Sequence, residues 1–394
     1  MKKTSHSELV KLIAGSSTVV FCGSGGVGKT TVAAAAALHA AKTGRRVLAL
    51  TIDPARRLAN ALGLSELADE PRPLPGEHLE KAGLRLAGSL EAMMLDPKRA
   101  MDRLIEKYAL NENMKKVIFS NPVYIHGSEI LIGSPEYLAM ERLYELHGQD
   151  RYDLIILDTP PTKHALDFLS APSRMVNFLE DNRLLKALLQ PGYSAGKLGV
   201  RAFQFGTSVL LKAIEKVTGS GFIQAGIDFL TAFEGMFAGF HDRAQHVNAI
   251  LRDDRTAFVV IASPQLTSIK EALFFYENLA AQSILCSGFI LNRVHEDLIG
   301  DPGKRPNLSR LYGEWTAGVE VGQGTGLEGG DPLAAKLIEG LLLHQRQSHL
   351  DQRNIAVLRG KVSAKTWVRE VPELEEQVFN LEGLLRIGAH LFPE

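Results

Sequence analysis

The stretch Thr18-Val19-Val20-Phe21-Cys22-Gly23-Ser24-Gly25-Gly26-Val27-Gly28-Lys29-Thr30-Thr31 decides how this chain folds. It fits the pattern G-x-x-x-x-G-K-[ST] and stands between an apolar run and the alanine-rich run Ala33 to Ala41, the order strand, loop, helix. A loop that wraps phosphates must turn consecutive backbone N–H groups inward, which needs conformations and a closeness of approach that side chains forbid and glycine allows. The helix that begins near Lys29 adds the positive end of its dipole. Lys29 brings a full charge to the β- and γ-phosphates, and Thr30 offers a hydroxyl to magnesium. Gly25, Gly26, Val27, Gly28, Lys29, Thr30 and Thr31 are therefore the expected phosphate cradle, with ATP and Mg2+ as the expected ligands.

Short, nearly continuous apolar runs recur at Val19 to Cys22, Val47 to Ile52, Leu154 to Leu157, Phe258 to Ala262 and Phe289 to Leu291, separated by helical periodicity. This alternation predicts an α/β fold with a doubly wound, mostly parallel sheet of the P-loop NTPase type, and ligands at the carboxyl ends of its strands. Pro71 to Pro75 reads as a loop, and a helix is expected over Leu333 to His344 after the glycine-rich segment Gly322 to Asp331. Between Ala171 and Val247 the strand rhythm stops. Arg174 to Leu189, Val209 to Val217 and Phe222 to Phe240 read as helices, the last with Phe222, Phe229, Phe233, Met236, Phe237 and Phe240 at helical spacings. Residues 1–170 and 248–394 are thus expected to form the ATPase domain and residues 171–247 a helical insertion. Its apolar stripe either packs on the sheet or opens as a groove lined by Phe229, Phe233 and Phe237.

Composition narrows the functional classes. Lys and Arg number 44 against 45 Asp and Glu, a net charge of −1, without the concentrated basic face that nucleic acid requires. Cys22 and Cys286 are the only cysteines, so there is no C-x-x-C, no zinc constellation and no disulfide framework. A reducing, cytoplasmic setting is expected. Met1-Lys2-Lys3 lacks the apolar core of a signal peptide, and no run reaches the ~20 apolar residues of a membrane span, so stable membrane insertion is not expected. No internal repeat is evident; with one phosphate loop, a function that needs two must recruit a second chain.

Two carboxylates follow apolar runs. Asp53 precedes Pro54, which suits a helix N-cap with proline at the first helical position, and the same placement sets a carboxylate at the sheet's catalytic edge. A free carboxylate is a feeble base, but in the loose transition state of phosphoryl transfer, orienting the attacking water matters more than early proton removal. Asp53 is therefore expected to position water. Asp158 ends the run Arg151-Tyr152-Asp153-Leu154-Ile155-Ile156-Leu157-Asp158, a Walker B pattern, and is expected to hold magnesium through water. Thr159-Pro160-Pro161-Thr162-Lys163-His164 follows where a γ-phosphate sensor belongs.

Taken in order, Gly23-x-Gly25-Gly26-Val27-Gly28-Lys29-Thr30-Thr31, Asp53-Pro54-Ala55-x-x-Leu58 and Asp158-Thr159-x-Pro161-Thr162-x-His164 resemble the family of ArsA, the arsenical-pump ATPase, and of the guided-entry ATPase that delivers tail-anchored membrane proteins. Leu95-Asp96-Pro97, Phe258 to Pro264 and Gly288 to Val294 extend the likeness over nearly the whole chain. The resemblance implies a deviant Walker A loop, Asp53 in switch I, Thr162 and His164 beside Asp158 in switch II, and Asn292 with Pro372 around adenine. It also implies a homodimer, or pairing with a paralogue, and a helical insertion that grips a hydrophobic client helix or membrane-protein segment. Three departures stand out. Ser24 occupies the position of the family's signature lysine, leaving Arg56 and Arg57 of switch I as substitutes; the targeting branch's C-x-x-C and ArsA's metalloid-sensing cysteine cluster are both missing. Alternative expectations are the motor of an anion or metalloid efflux pump and a positioning ATPase of the ParA and MinD type. Against the latter stand the long insertion, the near-neutral charge and the scarcity of cations over Leu374 to Leu391.

Overall fold

Successive residues of a strand face opposite ways, and each apolar run here is covered on both sides. Val20, Cys22, Leu48 and Leu50 belong to one buried layer, Val19, Phe21, Val47 and Ala49 to the other. A computed structural model describes residues 2–53, 57–122, 124–125, 135–160, 225, 228–229, 232, 236–300, 310, 332–374 and 380–393. The described elements are α1 (Lys2–Gly15), β1 (Thr18–Gly23), α2 (Lys29–Lys42), β2 (Arg46–Thr51), α3 (Arg57–Ala61), β3 (Arg72–Pro73), α4 (Gly76–Lys81), β4 (Ser89–Met94), α5 (Pro97–Tyr108), α6 (Glu112–Ser120) and α7 (Pro135–His147). After them come β5 (Leu154–Asp158), α8 (Phe237–Leu251), β6 (Thr256–Ala262), α9 (Leu266–Ala281), β7 (Cys286–Val294), α10 (Pro332–Lys361), β8 (Trp367–Pro372) and α11 (Leu381–Leu391).

The strands form one eight-stranded sheet in the order β3-β4-β2-β5-β1-β6-β7-β8. All neighbours are parallel except β3 with β4. From β1 the chain moves outward to β2 and β4, returns to insert β5 beside β1, and crosses to the other side for β6, β7 and β8. That reversal at β1 is the switch point where an open α/β sheet builds its ligand site. The expected α/β fold with a doubly wound, mostly parallel sheet is the fold observed.

Three strands were not among the expected runs, and each has a physical reason. In β4 the apolar run is broken by Glu91, whose carboxylate accepts hydrogen bonds from Arg151 Nη2 at 2.7 Å and Tyr152 Oη at 2.6 Å. In β8 it is broken by Arg369, whose guanidinium donates to the His390 carbonyl. The segment Pro71 to Pro75, expected as a loop, contributes the two-residue β3 at the sheet edge, where a proline costs no ladder bond. The helix expected over Leu333 to His344 continues as α10 to Lys361. Over Gln345 to Asp351 its buried side is polar, with Gln345 donating to Asp297 Oδ1 at 2.7 Å and Asp351 accepting from His295, which interrupts the apolar periodicity before Ile355 and Leu358.

The expected end of the helical insertion lies at residue 247. Helix α8 runs through it, and Val247, Leu251 and Met236 are buried in the same layer as Val20 and Leu48. Arg243 Nε donates to Glu141 Oε1 on α7 at 2.8 Å, and the guanidinium lies 3.5 Å from the centre of the Tyr108 ring. Phe229, for which groove and core were both open, is 2% exposed and stacks on Tyr124 with ring centres 6.1 Å apart. It is a core residue here, in the buried layer that also holds Leu104 of α5 and Leu138 of α7. Phe237 opens α8, with its side chain outside the described residues, as are Phe233 and residues 171–224.

Removing one partner of a buried ion pair strands the other, at a cost of about 3–5 kcal/mol, whereas replacing both with apolar groups costs much less. Arg243→Ala should therefore lower unfolding free energy in urea by that amount, and the double variant Glu141→Leu/Arg243→Met should recover most of it.

Candidate functional site

Parallel strands deliver their carboxyl ends to one edge, and here that edge gathers Gly23, Thr51, Asp158, Ala262, Val294 and Pro372. At Gly23 the backbone has φ 154°, and a Cβ would lie 2.0 Å from the Ile261 carbonyl oxygen, so only glycine lets β1 leave the sheet beside β6. The loop Gly25, Gly26, Val27, Gly28 then feeds α2, where Lys29, Thr30 and Thr31 form the first turn. Gly28 is the N-cap with φ 91°, a left-handed conformation that glycine adopts without strain.

Lys29 folds back over the loop, its Nζ donating to the Ser24 carbonyl at 2.8 Å. Burial holds its pKa below the usual lysine range, and the nearby Asp158 opposes that shift. Thr30 Oγ1 donates to Asp158 Oδ2 at 2.7 Å, and Thr51 Oγ1 donates to the same oxygen at 3.1 Å. Thr51 Oγ1 in turn accepts the Asp53 backbone N–H at 3.2 Å. The Asp53 carboxylate forms an ion pair with Arg57 at 3.2 Å. Thr159 closes the far side, with its hydroxyl donating to the Phe21 carbonyl at 2.8 Å.

Asp158 is 1% exposed, and among the described residues its Oδ1 has no hydrogen-bond partner. Burial pushes its pKa up to about 6, against the opposing pull of Thr30, Lys29 and Thr51. A buried, unsatisfied carboxylate oxygen beside a threonine hydroxyl is a hard oxygen donor set of the kind Mg2+ takes. Among the described residues no cluster of three or more His, Cys, Asp or Glu could enclose a metal. The residues present fit magnesium.

Of the residues singled out in the sequence, Lys29, Thr30, Asp53 and Asp158 lie together at one edge of the sheet. On the other flank Asn292 and Pro372 end neighbouring strands, with Pro372 paired to Val294, and Asn292 Nδ2 donates to the Val27 carbonyl at 2.9 Å. Arg56, Thr162 and His164 lie outside the described residues. Thr51 was missed; its only signal was a hydroxyl at the end of an apolar run. Also unforeseen is the setting of Ser24, which is 8% exposed with its Oγ 3.4 Å from Ser268 Oγ of α9.

A carboxyl whose pKa rises on folding stabilises the fold below its unfolded pKa and loses that contribution as pH climbs through the folded value. Between about pH 4 and 6 the ligand-free protein should therefore lose stability as Asp158 ionises. Asp158→Asn should raise unfolding free energy at pH 7.5 by up to about 3 kcal/mol and abolish turnover, with the stability gain fading as pH falls toward 4. Urea denaturation across that pH range measures it.

The profile of the anion-transporting ATPase family matches residues 16–305, from the start of β1 past the end of β7. Similar proteins include ATPase GET3 of Malassezia globosa, 27% identical over 302 residues, a span of 74% of this chain and 76% of that protein. The ATPase ASNA1 homolog of Babesia bovis is 26% identical over 69% of this chain and 64% of its own length. A protein of Aquifex aeolicus named as an arsenical pump-driving ATPase is 24% identical over 70% of this chain and 63% of its own length. The last two are thus spanned over less than two thirds of their length. With the family profile covering most of the chain, and with the loop, the ends of β1, β2 and β5 and the buried carboxylate all inside the match, this protein belongs to the anion-transporting ATPase family and is an ATPase.

Proposed function

We propose that this ATPase is a magnesium-dependent nucleotide switch that works as a dimer and uses its helical segment to hold a hydrophobic client helix. The observation that carries the magnesium reading is the Asp158 carboxylate, shared by Thr30 and Thr51 and left, among the described residues, with an unpartnered buried oxygen at the mouth of the phosphate loop. Bound there, magnesium would neutralise charge on the phosphate oxygens. The chain's own residues do the rest. Lys29 and the loop N–H groups bind the phosphates, Thr51 fixes the backbone at Asp53, and Arg57 steers the Asp53 carboxylate that orients the attacking water. The ends of β7 and β8, with Pro372, border the adenine.

One phosphate loop per chain supports pairing with a second copy or a paralogue. The position of the family's signature lysine does not supply charge across that dimer, because Ser24 turns into its own chain toward Ser268. Arg57 is the remaining described cation of switch I, 60% exposed and already coupled to Asp53. The client reading rests on similarity to GET3 and ASNA1 proteins together with the helical periodicity of the sequence over residues 171–247. A metalloid-driven pump motor is less well supported: Cys22 and Cys286 are both buried, and burial pushes the Cys22 thiol up to about 12. A lipid-bound positioning ATPase is disfavoured by α11, whose Leu381, Leu384, Ile387 and Leu391 are spent in the core beside α2.

Lys29→Ala should remove charge-assisted phosphate contacts worth roughly 1.5–3 kcal/mol each, so that nucleotide affinity and turnover are both lost. Asp53→Asn should leave affinity nearly unchanged and cut turnover at least about tenfold. Steady-state hydrolysis and equilibrium nucleotide binding separate the two, and full activity in the lysine variant would dismiss the site.

The client reading is tested with Asp53→Asn held in ATP and offered a hydrophobic helical peptide. Capture should be lost in Phe233→Ser/Phe237→Ser at an unchanged melting temperature. Phe229→Ser should instead destabilise the fold by about 3–5 kcal/mol, as for any buried aromatic cut away. Equal capture by all variants would rule out these positions.

A further inference from the structure

The phosphate loop is gripped from outside at a point that its own sequence cannot hold. Gly26 and Gly28 both have positive φ, 77° and 91°, and glycine on either side leaves the intervening peptide units free to rotate. Lys29 fastens the start of the loop through the Ser24 carbonyl. Its far end is fastened by Asn292, two strands away across β6, whose Nδ2 donates to the Val27 carbonyl at 2.9 Å.

Local structure is arranged around that contact. A Cβ on Gly28 would lie 2.3 Å from Asn292 Nδ2, so glycine at this position also makes room for the amide. Asn292 is buried, on the strand face it shares with Ile290, in the layer that also buries Val27. Immediately after it the ladder breaks: Leu291 pairs with Glu370 and Val294 with Pro372, three steps on β7 against two on β8, which is a bulge. The inserted stretch includes Arg293 at φ 62°, a left-handed conformation that costs a non-glycine residue energy. Regular pairing thus ends, under strain, directly after the residue that reaches the loop.

In a trans peptide the carbonyl and the following N–H point in opposite directions. We propose that Asn292 is a positioning residue for phosphate binding: by holding the Val27 carbonyl outward it keeps the Gly28 N–H of the same peptide unit turned into the phosphate cradle. This rests on the phosphate-loop reading and assigns Asn292 to the triphosphate, where the family resemblance implied the base. Loss of the clasp lets the Val27–Gly28 peptide flip and presents a carbonyl oxygen to an anion. The penalty falls on every phosphate ligand, whatever base it carries.

The test compares the parent protein, Asn292→Asp and Asn292→Ala for affinity toward ATP, GTP and inorganic tripolyphosphate from about pH 5 to 8, with melting temperatures alongside. At pH 8 an aspartate at this position sets carboxylate against carbonyl, and all three ligands should weaken by a similar factor, about tenfold or more. As pH falls the protonated acid can donate to the Val27 carbonyl, so the loss relative to the parent at the same pH should shrink for Asn292→Asp and stay constant for Asn292→Ala. A purely structural defect would not recover with acid. If ATP weakens while tripolyphosphate does not, Asn292 reads the base and the clasp is overturned. Unchanged affinities in both variants overturn it as well. Should Asn292→Asp fail to fold, a uniform loss in Asn292→Ala supports the clasp and a base-selective loss overturns it. A parent protein that binds none of the three ligands would remove the phosphate-loop reading, and the clasp with it.

Discussion

One buried carboxylate organises the catalytic edge. Asp158 Oδ2 accepts hydroxyl hydrogen bonds from Thr30 on α2 and Thr51 on β2, so three elements distant in sequence are fixed by a single oxygen. Burying a carboxylate is costly unless its lone pairs are satisfied, and the raised pKa of Asp158 records that cost. The second oxygen remains unsatisfied among the described residues. Such strain is tolerated at a functional site because a ligand can relieve it, and much of the surrounding geometry exists to keep the carboxylate where it is.

The frame around it is made from small residues. Helix α2 is alanine-rich and buried on nearly all sides, which lets it lie close to the sheet while α11 covers its outer surface. Its amino end therefore has little freedom, and Lys29 and Thr30 are aimed by packing as much as by their own hydrogen bonds. His39 of α2 stacks on Phe392 with ring centres 3.9 Å apart, so the last turn of the chain also bears on the helix that carries the phosphate loop.

The opposite flank is held by polar contacts. His295, just past β7, donates its backbone N–H to Asp351 Oδ2 at 3.0 Å, while its ring meets Asp351 on one side and Glu373 on the other. This links α10 to the segment after β8 and steadies the strand ends beyond Asn292 and Pro372. The family profile stops at residue 305, so α10, β8 and α11 lie beyond the shared region, yet they brace it.

By itself the sequence determined the parallel sheet, the phosphate loop, and the carboxylates at 53 and 158. Each is a local signal: a glycine pattern before Lys29, an acid after four apolar residues at 158, or an acid before proline at the end of a largely apolar run at 53. It did not reveal β4 or β8, because Glu91 and Arg369 break the apolar runs and find their partners in Arg151, Tyr152 and the His390 carbonyl, far along the chain. Nor did it place Phe229, whose helical spacing suits a groove and a core equally well; contact with Tyr124 decides for the core. Thr51, the inward turn of Ser24 and the reach of Asn292 to Val27 were likewise decided only by tertiary structure. A hydrogen bond between residues hundreds of positions apart leaves no periodicity behind; it exists only once the sheet has brought its strand ends together.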